Sequence, residues 1–174
     1  MQSLCSILEM KKIVALFLIT SACLAQNQNN IWCFGDSVGI NFNGAVPLTF
    51  ASGMDGRGSC TTIADDNGQL LFYSYTVANA TNFETNVFNS QHQLMQNGDT
   101  IVGEAWYNEL TIIPMPGNDS LYYLFSMGEV DIPTQGMWYS LVDMNANGGL
   151  GSVIVKNVRM NNFRNADCVT AIKH

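Results

Sequence analysis

After the first twenty-five residues, short apolar and aromatic runs alternate with clusters of Asn, Asp, Gly and Pro, and no sustained 3.6-residue period is present. Ser59-Cys60-Thr61-Thr62-Ile63-Ala64 and Gln69-Leu70-Leu71-Phe72-Tyr73-Ser74-Tyr75 are two β-prone runs separated by Asp65-Asp66-Asn67-Gly68. An Asn-Gly pair between two such runs predicts a hairpin, because the central turn positions need positive φ. Further runs at Leu110–Met115, Leu121–Met127, Met137–Met144 and Val153–Met160 predict four more strands. Between them stand Pro116-Gly117-Asn118-Asp119, Ile132-Pro133-Thr134-Gln135-Gly136 and Asn145-Ala146-Asn147-Gly148-Gly149, all turn chemistry. The pattern predicts an all-β, antiparallel domain.

The spacing adds a repeat. β-rich segments begin near Ser59, Leu110 and Cys168, about 50 to 60 residues apart, and the second holds four strands. Four-stranded sheets at such a period are the mark of propeller blades. The reading is an incomplete β-propeller of about two blades plus an orphan strand, since closed propellers have roughly 4 to 8 blades. The alternative is a β-sandwich of about seven strands.

The leader has a different pattern. Lys11-Lys12 precede the apolar run Ile13–Ile19, then Ser21-Ala22-Cys23-Leu24-Ala25, then the polar Gln26-Asn27-Gln28-Asn29-Asn30. A positive n-region, a short h-region and small residues before a polar spacer predict a signal peptide over residues 1–25, with Met10 as an alternative start. Thr20-Ser21-Ala22-Cys23 weakly resembles a lipidation signal, although Thr20 stands where an aliphatic residue is preferred. Export to the medium or the outer cell surface is the expectation, and no later segment is long enough to span a membrane. The body, 26–174, is then a single β domain.

Composition narrows the function classes. Of 174 residues 47% are hydrophobic and 12% charged, and the net charge of -7 becomes -8 once Glu9, Lys11 and Lys12 leave with the leader. Such acidity, with scattered Lys and Arg, argues against nucleic acid as a partner. Cys33, Cys60 and Cys168 remain after the leader; an odd number at long spacing shows no disulfide framework or metal clip, and any one pairing stays open.

At several points the residues resemble one family. Asn30-Ile31-Trp32-Cys33-Phe34-Gly35 and Gly39-Ile40-Asn41-Phe42-Asn43 resemble "NIWYFG…GLDFN", the opening of secreted and cell-surface proteins of the Bacteroidetes. Gly58–Asp65 with Asn67–Tyr73 is similar to "GCASISD-NGNLLFYTDG", and Asn89–Gly98 to "N-NHQ-MPNG". Tyr122–Phe125 matches "YYIFT", Tyr139–Met144 with Gly148–Gly151 resembles "YSVVDM-LDGGLGDV", and Thr170–His174 resembles "TAVKH". The sequence departs from the pattern at Ser74-Tyr75-Thr76 and in the loop Val77–Glu84. The resemblance implies the first part of a propeller-like domain, in a family that continues into further repeats, PKD-type modules and a type IX sorting signal. It therefore implies that this sequence is the N-terminal fragment of a larger protein.

Three constellations bear on chemistry. Gly35-Asp36-Ser37 after an apolar run resembles the nucleophile block of GDSL-type serine hydrolases, but a serine needs a histidine base. Here His174 follows Ala171 and His92 follows Asn89, where an Asp three residues earlier is required, and Gly117-Asn118-Asp119 is one residue short of the oxyanion block. Asp143-x-Asn145-x-Asn147-Gly148 matches the first half of a calcium loop, yet Gly151 and Ile154 occupy the later ligand positions. Trp32, Phe72, Tyr73, Trp106, Tyr107, Tyr122, Tyr123, Trp138 and Tyr139 have the chemistry to stack on sugars, but alternating strands are expected to bury one of each adjacent pair and half-expose the other. The sequons at Asn79 and Asn118 matter only in a glycosylating host.

The expectation is a non-enzymatic structural or binding module, with no catalytic, cofactor or metal residue assigned. A GDSL-type hydrolase and a calcium-dependent glycan-binding domain are the alternatives. The expected partner is a protein or glycan at the cell surface, and open sheet edges are expected to promote self-association.

Overall fold

A computed structural model describes residues 27–56, 58–78, 83–103, 107–128, 133–164 and 168–171. The predicted leader lies outside these residues. The fold is all-β, with three antiparallel sheets and no closed barrel. The first sheet is β1 (Ile31–Phe34), β2 (Asp36–Asn41) and β3 (Leu48–Asp55) in sequence order. The second is β4 (Cys60–Ala64), β5 (Leu70–Ala78) and β6 (Phe83–Asn89). The third is β7 (Leu110–Pro114), β8 (Leu121–Gly128), β9 (Gly136–Asp143) and β10 (Ser152–Arg159), again in order.

Every strand predicted from Ser59 to Met160 is present, within one to three residues of the expected ends. Three sheets precede Cys168 among the described residues, where the spacing predicted about two. The extra sheet is β1–β3, whose sequence disguises it. Gly39 leaves the space that the Phe50 ring fills, and β2 turns mostly exposed residues outward, so no apolar run marks it. Where the orphan strand was expected, the described residues at Cys168 form a parallel bridge to Asn108.

The middle sheet is covered on both faces, which explains the unbroken apolar run in β5. Phe72 joins Val87, Leu124, Val142 and Val153 in the core against the third sheet. Tyr73 and Tyr75 join Ile31, Cys33 and Met54 in the core against the first. Phe72 and Tyr73 are both 0% exposed. Burying each side chain stabilises the fold by about 1.5–3 kcal/mol. The expectation that one residue of each adjacent aromatic pair stays half-exposed holds for Tyr122–Tyr123, at the surface sheet, and fails for Phe72–Tyr73 in the middle one.

Leu94–Ile101 serves the second sheet as an irregular fourth strip along β6. Met95 N–H donates to Val87 O at 2.8 Å, Val87 N–H to Gly98 O at 2.7 Å and Ile101 N–H to Thr85 O at 3.0 Å. Positive φ at Asn97 and Thr100 breaks its regularity. The strip also grips the third sheet: Val153 N–H donates to Gln96 O at 3.0 Å, and Lys156 Nζ lies 2.9 Å from Asp99 Oδ1.

The directions of the strands on the shared side are not uniform. Ser59 Oγ accepts the Glu109 N–H at 2.8 Å, so β4 and β7 start together; Tyr122, paired with Pro114, meets Phe72, paired with Ile63, so they also end together. They run parallel. β1 runs the other way: Asn27 and Gln28, before it, donate to Asp66, beyond the end of β4, while Gly35, after it, accepts from Gly56 near Tyr75, the partner of Cys60. Among the described residues no helix is long and apolar enough to cross a membrane.

Candidate binding groove

The ends of β4 and β7 open into a groove of about 830 Å3. Its walls are two turns. In the β4–β5 turn, Asp65 Oδ1 accepts the N–H groups of Asn67 at 2.9 Å and Gln69 at 2.8 Å, and Gly68 takes φ 77°. Asn43 Nδ2 donates to Gly68 O at 2.7 Å, and a Cβ at Gly68 would collide with the Asn43 carboxamide. Glycine is required there by both conformation and contact. In the β7–β8 turn, Gly117 has φ 76°, and Asn118 Oδ1 accepts from Ser120 N–H at 2.9 Å and Leu121 N–H at 3.0 Å. Both are Asx turns built from local sequence.

Gln28 and Asn29 close one side, and Ile63, Ile112 and Tyr122 form an apolar floor. Asp65, Asp66 and Asp119 stand around it, and no Lys, Arg or His is among the described lining residues. Burial, and then the charges of Asp66, Asp65 and Asp119, raise the pKa of the Tyr122 hydroxyl above the ordinary tyrosine value. The groove thus offers hydrogen-bond acceptors over an apolar base. No Ser, Thr or Cys is among its described lining residues.

The predicted chemical constellations fall elsewhere. Ser37, with φ 61°, sits at a bulge near the start of β2; its Oγ donates to Asp36 Oδ1 at 3.0 Å and lies 3.5 Å from Met54 O. His92 is engaged with Tyr73 and the Phe50 ring, and His174 lies outside the described residues. Asp143 Oδ1 accepts Asn145 N–H at 2.9 Å, and Asn147, Gly148, Gly149 and Gly151 all have positive φ, so the candidate calcium loop is a glycine turn between β9 and β10. Among the described residues no group of three or more His, Cys, Asp or Glu is placed to hold a metal ion.

The aromatic residues divide by face. Tyr122 is buried beside Phe72; Trp32 and Tyr107 are exposed; Trp106 and the Asn79 sequon are outside the described residues. Tyr123, Phe125 and Tyr139 cluster on the outer face of the third sheet, with ring centroids 5.7–6.4 Å apart. Cys33, Cys60 and Cys168 are free thiols. Burial pushes the Cys33 thiol up to about 12, and burial raises that of Cys60 as well.

One polar cluster had no signal in the sequence. Tyr73 Oη accepts the Gly53 N–H at 3.0 Å and lies 3.2 Å from His92 Nδ1, joining β3, β5 and the loop after β6. These residues are far apart in the chain, and no spacing rule brings them together. Comparison with protein-family models, curated proteins and solved structures finds no match.

Proposed function

We propose that this chain is a non-enzymatic structural or binding module exported to the medium or the outer cell surface, and that its sheets are the first part of a β-propeller. The observation that carries the reading is the serial stacking of sheets. β4 and β7 lie side by side and parallel on the inner side, and Cys168 begins a third parallel segment next to Asn108. Inner strands of successive propeller blades have this relation. The family resemblance and the leader support the same reading, and the acidic groove, at the ends of the inner strands, is where a ligand rich in hydrogen-bond donors fits.

Protease treatment of intact cells of the native host tests the location. Loss of the protein without lysis is expected, and full protection until lysis would overturn surface display. Imaging the purified protein by electron microscopy tests the architecture, with radially arranged sheets as the expected result.

A further inference from the structure

We propose that Asn147 is a site of self-modification: in the folded protein its side-chain amide is lost to attack by the Gly148 backbone nitrogen, leaving aspartate and isoaspartate in the turn between β9 and β10.

The reaction needs only this chain and water. The Gly148 nitrogen attacks Asn147 Cγ and a new C–N bond closes a five-membered succinimide; the attacking nitrogen gives up its proton and the side-chain nitrogen leaves as ammonia. Water then opens the ring. Opening at Cγ restores the normal main chain with an Asp side chain, and opening at the backbone carbonyl routes the main chain through Cγ and leaves isoAsp. Glycine favours the attack because no Cβ shields its nitrogen.

Four Asn-Gly pairs share this local chemistry, Asn43-Gly44, Asn67-Gly68, Asn97-Gly98 and Asn147-Gly148, and the fold separates them. The step requires a side chain free to turn its carbonyl onto the next nitrogen, and a nitrogen whose proton is not already engaged. Asn43 is held at both ends: Nδ2 donates to Gly68 O at 2.7 Å, and Oδ1 accepts from Asn30 Nδ2 at 3.0 Å. At Asn67 the attacking nitrogen is occupied, since Gly68 is buried and its N–H donates to Asp65 O at 2.9 Å. At Asn97 both groups are occupied: Nδ2 donates to Val153 O at 2.8 Å, and Gly98 N–H to Met95 O at 2.8 Å. Asn147 and Gly148 are exposed, and among the described residues neither the Asn147 carboxamide nor the Gly148 N–H has a hydrogen-bond partner.

The turn itself calls for this pair. Its φ is 51° at Asn147, 66° at Gly148 and 91° at Gly149, a region that Asn and Gly enter at least cost. The two products then differ in consequence. Asp tolerates positive φ as Asn does, and it changes only the charge. IsoAsp lengthens a main chain that is pinned on both sides: Gly149 and Gly151 N–H both donate to Ala146 O at 3.1 Å, and Leu150 N–H donates to Asn147 O at 3.3 Å. Gly151 also passes close to Met95 and Met144 as the chain enters β10, so the extra carbon disturbs the start of that strand.

The full chain is aged in warm, mildly alkaline buffer, in parallel in its native state and in urea, and peptide mapping by mass spectrometry follows Asp and isoAsp at the four pairs. In the native state Asn147 is expected to react about tenfold faster than Asn67 and Asn97, whose hydrogen bonds must break first, whereas in urea the four rates converge. Asn147→Gln, which has to close a larger ring, should stay unmodified at that position. Equal native rates at the four pairs, or reaction first at Asn43, Asn67 or Asn97, overturns the site. Aged protein carrying isoAsp in this turn is expected to melt several degrees below Asn147→Asp, which has the same charge on a normal main chain; identical melting overturns the structural consequence.

Discussion

The Tyr73 hydroxyl links Gly53 to His92, accepting the Gly53 N–H at 3.0 Å while lying 3.2 Å from His92 Nδ1. With Nδ1 as the acceptor, the hydroxyl uses its one proton on His92 and a lone pair on Gly53. The same ring stacks on Phe88, and His92 stacks on Phe50. One side chain thereby couples the first sheet to the second.

Tyr73→Phe keeps the ring and removes this link, leaving the Gly53 N–H and His92 Nδ1 without the hydroxyl. A loss of about 0.5–1.5 kcal/mol is expected in urea denaturation, the net worth of a hydrogen bond between part-buried groups. A change within a few tenths of a kcal/mol would show that solvent replaces the hydroxyl.

Two glycine substitutions should differ in cost. Gly117→Ala meets nothing within 4 Å, so only its φ of 76° opposes it, at about 1 kcal/mol. Gly68→Ala adds the collision with Asn43 and should cost about 2 kcal/mol or more. Thermal melting of the two variants side by side checks the order.

The buried thiols and Tyr73 make the fold sensitive to alkali. Their folded pKa values lie above those of the unfolded chain, with Cys33 and Tyr73 both pushed up to about 12, mainly by burial. The unfolded state therefore releases protons first as pH rises. The stabilisation is fully present below about pH 8.5, the unfolded thiol value, and is lost progressively toward pH 12. Denaturation midpoints should fall across that window. At pH 8 a thiol reagent should modify exposed Cys168 rapidly, half-buried Cys60 more slowly, and buried Cys33 only after unfolding.

Ser37 should have no nucleophilic role. Its hydroxyl is bonded to Asp36, and His92 is held by Tyr73 and Phe50. No hydrolysis of p-nitrophenyl esters is expected; turnover abolished by Ser37→Ala would establish the hydrolase instead.

Local chemistry made much of this fold legible. The Asp65–Gly68 and Pro116–Asp119 turns could be read directly, because an Asx side chain and a positive-φ glycine act within four residues, and these turns became the walls of the groove. The strands β4, β5 and β7–β10 were legible for a similar reason: apolar runs bounded by turn residues are a local pattern. β1–β3 were hidden because Gly39 makes room for Phe50 across the sheet, a contact between residues eleven apart, and because their burial depends on the second sheet. The burial of both Phe72 and Tyr73, the junction at Tyr73 and His92, and the reversed direction of β1 all depend on which sheet covers which face. That choice comes from long-range packing and strand direction, and no run of neighbouring residues encodes it.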